Sequence, residues 1–253
     1  AASDVYKRQH HGGPAWETLR RNTPPSLHGM LTGPSPHLGA GFAGACEPDG
    51  MQPAASAPAP SSAALAAARD ALAVHGPVFR QEPIEWGSEE PLAPALAAYY
   101  RQVGPGWVEV ETLGLPFLFF PLERLWDEQA GFRWSRRTGA RLVDWNDDWT
   151  VVALQGGDPF IHEASTGAVL MAGEEGWEDR LDEPEPVFRD LVEMTLALCA
   201  VGRVWAGADD PFTEDWRLTE EVLGQVVGAL EGVLGSHGRA VAVARRLGYL
   251  AAR

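Results

Sequence analysis

Residues 150–172 read TVVALQGGDPFIHEASTGAVLMA. Three apolar runs of strand length are parted first by Gly-Gly-Asp-Pro and then by Ser-Thr-Gly. Short apolar runs bounded by turn-forming residues predict strands joined by tight turns. Gly156 and Gly157 supply backbone freedom, positive φ included, where the strand at 151–155 must reverse. Asp158 precedes a proline and is pushed to extended geometry, and its carboxylate can accept from turn amides. Pro159 fits the opening of a strand, where no ladder donor is lost. Phe160 then enters the core. Every residue of the turn has a structural task, so the expectation is a sheet corner.

The same alternation appears upstream. WVEVETL, 107–113, turns Trp107, Glu109 and Glu111 one way and Val108, Val110 and Thr112 the other, a strand with one wet face. LPFLFFPLERLW then reads as a short apolar strand and a helical turn after Pro121. Helical patterns lie on both sides of these strands. One covers 63–75, capped by Ser61 or Ser62 and ended by Gly76-Pro77. A second covers 91–103, where Leu92, Leu96, Tyr99 and Val103 share a face. A third, 185–205, places Phe188, Leu191, Val192, Leu196 and Cys199 on one face and Arg189, Asp190 and Glu193 opposite. A fourth, 219–234, has Thr219 as its cap and Glu220 and Glu221 complementing the dipole, and a last piece covers 238–250. The basic aromatic segment FRWSRRTGA, 132–140, is expected to be exposed. Helices, a meander of strands, then helices is the order of an α+β fold, an antiparallel sheet flanked by N- and C-terminal helices.

Not all 253 residues read as one protein. Residues 4–9, DVYKRQ, resemble a translated sequencing adapter, and Lys7 is the only lysine in the chain. Residues 1–50 are expected to be a disordered, non-native leader, with the true start at Met30 or Met51. The rest divides into a linker with a short helix at 51–84, a domain at 85–210 and a C-terminal helical extension at 211–253. The first 50 residues hold four basic and four acidic side chains, so the whole net charge of −15 sits on the remainder. That balance argues against a nucleic-acid partner, which needs cationic surface, and against an anionic membrane. It permits a basic protein partner, and it equally serves solubility alone. No run approaches a membrane span. The two cysteines, Cys46 and Cys199, form no disulfide or zinc spacing, which makes a reducing cytoplasm the default.

Motifs for chemistry are weak. DWNDDW, 144–149, clusters Asp144, Asp147 and Asp148, but an EF-hand also needs a glutamate at its twelfth position, and Gln155 stands there. His162 and Glu163 are strand neighbours whose side chains point to opposite faces and form no direct dyad. His162 is read as a partly exposed strand histidine. Protease, phosphate-loop and nucleophile-elbow signatures are missing. No cofactor or metal is expected. Tryptophan is the unusual residue: nine of the ten lie beyond residue 50, several beside polar clusters. Tryptophans pack cores and, when exposed, bind partners.

The run WTVVALQGGDPFIHEASTGAVLMAGEEGW, 149–177, resembles the signature region of the SMI1/KNR4 family, in the SUKH superfamily. There a tryptophan-led strand runs into Gly-Gly-Asp-Pro-Phe, followed by a hairpin and a later tryptophan, here Trp177. LAPALAAYYRQVGPG resembles the family's opening helix and FRDLVEMTLAL its closing one, so the likeness covers roughly 85–205. A histidine expected near Gly176-Trp177 is missing, with Gly173-Glu174-Glu175 in that place. The resemblance implies an α+β domain without catalysis, whose bacterial members act as immunity proteins that neutralise toxins, often nucleases. Fungal relatives act as regulatory hubs.

Three readings follow. The first is an immunity-type binding protein that recognises its partner through Trp145, Asp147, Asp148 and Trp149 together with Gly157 and Asp158. In it Gly156, Gly157, Asp158, Pro159, Phe160 and Trp177 form the structural motif. The second is a regulatory or scaffolding domain with no toxin. The third is a metal-assisted hydrolase using Asp144, Asp147, Asp148 and His162.

Overall fold

In the computed structural model the glycine turn is the corner of a sheet. The structure describes residues 60–250 except Glu89, Leu113, Asp144, 172–183, Asp215 and Trp216. Six strands, β1 (Val108–Val110), β2 (Phe117–Phe119), β3 (Trp149–Gln155), β4 (Asp158–Glu163), β5 (Val169–Met171) and β6 (Glu185–Phe188), pair antiparallel in sequence order. The fold is α+β with an open antiparallel meander. Around the sheet lie α1 (Ser62–Ala73), α2 (Pro94–Gln102), the single turn α3 (Leu122–Leu125), α4 (Leu191–Gly207), α5 (Glu220–Leu234) and α6 (His237–Arg246).

The turn between β3 and β4 separates its two glycines by role. Gly156 has φ +64°, and a Cβ added there would stand 2.4 Å from Leu115 Cδ1. Gly157 has a φ outside the left-handed region and open space around it. Gly156→Ala is therefore expected to cost about 1–2 kcal/mol, while Gly157→Ala changes stability by less than about 0.5 kcal/mol. Urea unfolding of the two variants checks the contrast. Equal effects would contradict this account of the turn.

Local signals place most of the elements. Ser61, Thr219 and Ser236 cap α1, α5 and α6 by accepting from Ala64 N, Val222 N and Arg239 N. Val108 and Val110 are buried and Glu109 is exposed, as the alternation requires. The sixth strand departs from expectation, because 185–188 is extended and the helix begins only at Leu191. Pro186 holds Glu185 out of helical geometry, and Asp190 is the cap, accepting from Glu193 N at 2.8 Å.

Helix α4 is the axis of the fold. It lies against β1 and β6 on one side and packs with α1 and α5 on others, and α6 packs on α5. Leu65, Ala68 and Leu72 of α1 and Val226, Leu230 and Leu234 of α5 belong to the same buried cluster as the sheet. Covered from several directions, α4 keeps no wet face over its first turns. Glu193, expected opposite the apolar face, is 5% exposed.

Two buried glutamines finish the frame. Gln81 donates to Pro105 O and accepts from Leu122 N, both at 2.6 Å. Strand β2 pairs only with 153–155 of β3, which leaves Val151 without a strand neighbour on that side. The Gln129 side chain takes its place, donating to Val151 O at 2.9 Å and accepting from Val151 N at 2.8 Å.

Candidate functional site

The connection from α3 to β3 carries most of the residues singled out in the sequence. Its last turn, 145–149, is a corner built on two tryptophans. Trp145 is 4% exposed and its ring meets Trp149 edge to face at 5.6 Å. Its Nε1 donates to Trp149 O at 3.1 Å. Asn146 closes the turn, its Oδ1 accepting from Asp148 N at 3.0 Å and its carbonyl from Trp149 N at 3.1 Å. The half-buried Trp149 donates from Nε1 to Glu163 Oε1 at 3.3 Å, and Ala164 N donates to Asp148 O at 2.9 Å. These two bonds tie the corner to the end of β4.

Arg133 holds the corner from below. The segment expected to be exposed is so only in part, since Phe132 and Arg133 are 8% and 7% exposed. Packing explains this: the Arg133 guanidinium lies 5.6 Å from the Trp126 ring, beside a column in which Trp126 meets Trp86 at 5.2 Å and Trp134 at 4.5 Å. From there Nη1 donates to the carbonyls of Asp147 and Trp149, each at 3.4 Å. Nη2 pairs with Glu90 and lies 3.7 Å from Asp147 Oδ1. Arg141 pairs with the same Asp147 carboxylate. A buried arginine with aromatic contact and several acceptors is satisfied and rigid.

The residues expected to form one partner surface fall into two places. Trp145, Asp147, Asp148 and Trp149 are at the start of β3, whereas Gly157 and Asp158 are in the turn at its far end. Six strand steps separate the two by about 20 Å. Asp147 and Asp158 are exposed and Asp148 is partly so. Trp177 and Asp144 lie outside the described residues. Gly156, Pro159 and Phe160 serve the sheet, with Phe160 against Phe117 at 5.9 Å and Phe188 at 6.4 Å.

His162 differs from expectation most sharply: its exposure is 0%. Val110 lies against Gly202 of α4, and Phe117 and Phe160 share that face through their ring contact. Alternation puts His162, two residues after Phe160, on the same covered face. Neither ring nitrogen has a hydrogen-bond partner. Burial pushes its pKa down to about 4, against an upward pull from Asp148 and Glu163. The ring is neutral at pH 7.

This geometry bears on the hydrolase reading. Asp147 faces two arginines, His162 is sealed inside, and no group of three or more His, Cys, Asp or Glu among the described residues is placed to hold a metal ion. Cys199 is buried, which pushes its thiol up to about 12, so it stays protonated and a poor nucleophile. Sequence reasoning missed Arg133, Gln129 and Glu193. The only local hint was at Arg133, whose neighbours Phe132 and Trp134 are aromatic.

No family model, curated protein or solved structure matches the chain. Among the described residues no helix is long and apolar enough to cross a membrane.

Proposed function

We propose that the chain is a non-catalytic binding domain of the immunity type, which neutralises a basic protein toxin by docking it on the 145–149 corner. The observation that carries this reading is how the corner is held. Arg133, Asn146 and Ala164 fix its backbone, and Glu163 the Trp149 side chain, before any partner arrives, so association loses little ordering entropy there. The partly exposed Asp148 then presents its carboxylate from this fixed backbone, beside the exposed Asp147–Arg141 pair. A net charge of −15 adds electrostatic steering toward a cationic partner. The Gly-Gly-Asp-Pro-Phe run that resembles the SMI1/KNR4 signature forms the far end of the same β3–β4 hairpin.

An immunity gene lies directly downstream of its toxin gene, so the product of the adjacent upstream gene is the partner to test. Co-expression and co-purification are expected to give a stable complex. Asp148→Arg is expected to weaken it at least about tenfold at low salt, while Asp158→Arg, about 20 Å away along β3, leaves it unchanged. No complex at micromolar concentration contradicts the reading. Equal loss from both substitutions places the interface elsewhere.

A further inference from the structure

A fully buried imidazole with two unbonded nitrogens is a costly occupant of a strand whose other inward positions are apolar. Valine or isoleucine would fill the space without that cost. The position of His162 suggests a use. Thr150 pairs with His162 and Trp149 with Glu163, and these are the two terminal rungs of the β3–β4 ladder. The register shift between Val151 and Ala153 separates these two rungs and the Val151–Ile161 rung from the rest. Immediately beyond them come the two bonds that tie down the corner, Ala164 N to Asp148 O and Trp149 Nε1 to Glu163 Oε1. His162 thus sits directly behind the fastening of the 145–149 turn.

The charged groups acting on the ring are Asp148, in the corner, and Glu163, its chain neighbour. Its cross-strand partners, Thr150 and Val169, are not ionisable in the working range. The first turn of α4, on the covered face, carries Asp190, which caps its own helix, and Glu193, bound by Arg189 and Arg239. Both carboxylates that would welcome an imidazolium, Asp148 and Glu163, lie at the ladder's end and partly exposed.

We propose that His162 is an acid-triggered latch on the corner: neutral, it stays sealed against the covered sheet face; charged, it leaves that face for Asp148 or Glu163 and releases Trp149. A charged imidazole cannot remain unpaired in an apolar interior. The route of least disruption is to break the two terminal β3–β4 rungs together with the His162–Val169 rung, which ends the β4–β5 ladder, because Phe160 and Ile161 behind them stay held on both sides by β3 and β5. The imidazolium then competes with Trp149 Nε1 for the Glu163 carboxylate. This release does not depend on what the corner binds.

Fluorotryptophan labelling of the full chain, followed by fluorine NMR from about pH 7.5 to about pH 4, tests it. Trp145→Phe and Trp149→Phe assign the two corner resonances. Both are expected to move toward the exposed position with a midpoint between 6.5 and about 4, while the Trp205 resonance stays in place. In His162→Phe, or in His162→Leu if the larger ring disturbs folding, the corner resonances hold through that range. His75, whose pKa is also lowered, first by burial and then by Arg203, lies against α4; His75→Phe keeps the transition. Unmoved corner resonances overturn the latch, as does an unchanged midpoint in the His162 variants. Simultaneous loss of every resonance overturns it too, since that is global unfolding.

Discussion

Arg133→Ala is expected to destabilise the chain by about 3 kcal/mol and to loosen the 145–149 corner while the far end of β3 keeps its structure. The substitution removes the cation beside the Trp126 ring and leaves a void in that column. It also withdraws the donors to Asp147 O and Trp149 O. Trp149 O keeps Trp145 Nε1 as a partner. Glu90 and Asp147, 49% and 71% exposed, return to water at little cost. The total is thus set by the void and the orphaned Asp147 carbonyl, at about 1–3 kcal/mol each. For a unit of this size, residues 53–253, it corresponds to a fall in Tm of roughly 6–12 °C. Arg133→Lys should recover only part of the loss, because an ammonium cannot serve two carbonyls and a carboxylate from one planar fork. Thermal unfolding followed by circular dichroism measures both; a loss below about 1 kcal/mol for the alanine variant contradicts the role given to Arg133.

The second large effect is expected at Glu193, where α4 meets α6. Its carboxylate accepts from Arg189 N at 2.7 Å, from Arg189 Nε at 2.8 Å and from Arg239 Nη1 and Nη2 at 2.9 and 2.8 Å. Burial pushes its pKa up, but the hydrogen bonds from Arg239 and Arg189 outweigh that and hold it below the ordinary value of 4.5. Since the folded value lies below the unfolded one, Glu193 stabilises the fold above pH 4.5, and this contribution is lost as pH falls through the lower folded value. Glu193→Ala removes a buried ion-pair partner and is expected to cost about 3 kcal/mol at pH 7. That is the low end for a broken buried pair, because Arg239 is one-third exposed and also donates to Leu234 O at 3.2 Å. Glu193→Gln keeps the shape and should lose less, with a flatter stability profile below pH 4.5. Urea unfolding of the three proteins at pH 7 and below pH 4.5 measures this, and a profile in the glutamine variant as steep as the parent's contradicts it.

The fold was legible where local chemistry decides it. The glycine turn, the alternation at Val108–Val110 and the caps at Ser61 and Thr219 all act within a few residues, and all four stand where the sequence puts them. Strand β6 was hidden because its two apolar residues, Val187 and Phe188, run in phase with the helix that follows. Burial of charged and polar side chains was not legible either. Arg133 is buried through Glu90, 43 residues away, and Glu193 through Arg239, 46 residues away. For His162 the alternation gave the right relation to Glu163. What it could not give is that both faces of β4 are covered, which depends on α4 and on the 126–148 connection.

The expected partner surface divides in two for a related reason. DWNDDW and Gly-Gly-Asp-Pro are near neighbours in sequence, yet the extended strand between them carries them to opposite ends of a hairpin. Among the described residues, only those at the first end include a buried cation and an aromatic column. That asymmetry leads the binding proposal to the 145–149 corner.

The most direct test of that claim is calorimetric titration of the adjacent-gene product into the parent chain and into Arg133→Ala, at a temperature where circular dichroism shows both folded. Heat and a defined complex are expected with the parent, and affinity at least about tenfold weaker for the variant, equivalent to about 1.4 kcal/mol. Equal affinity for the two proteins would contradict a binding surface organised by Arg133.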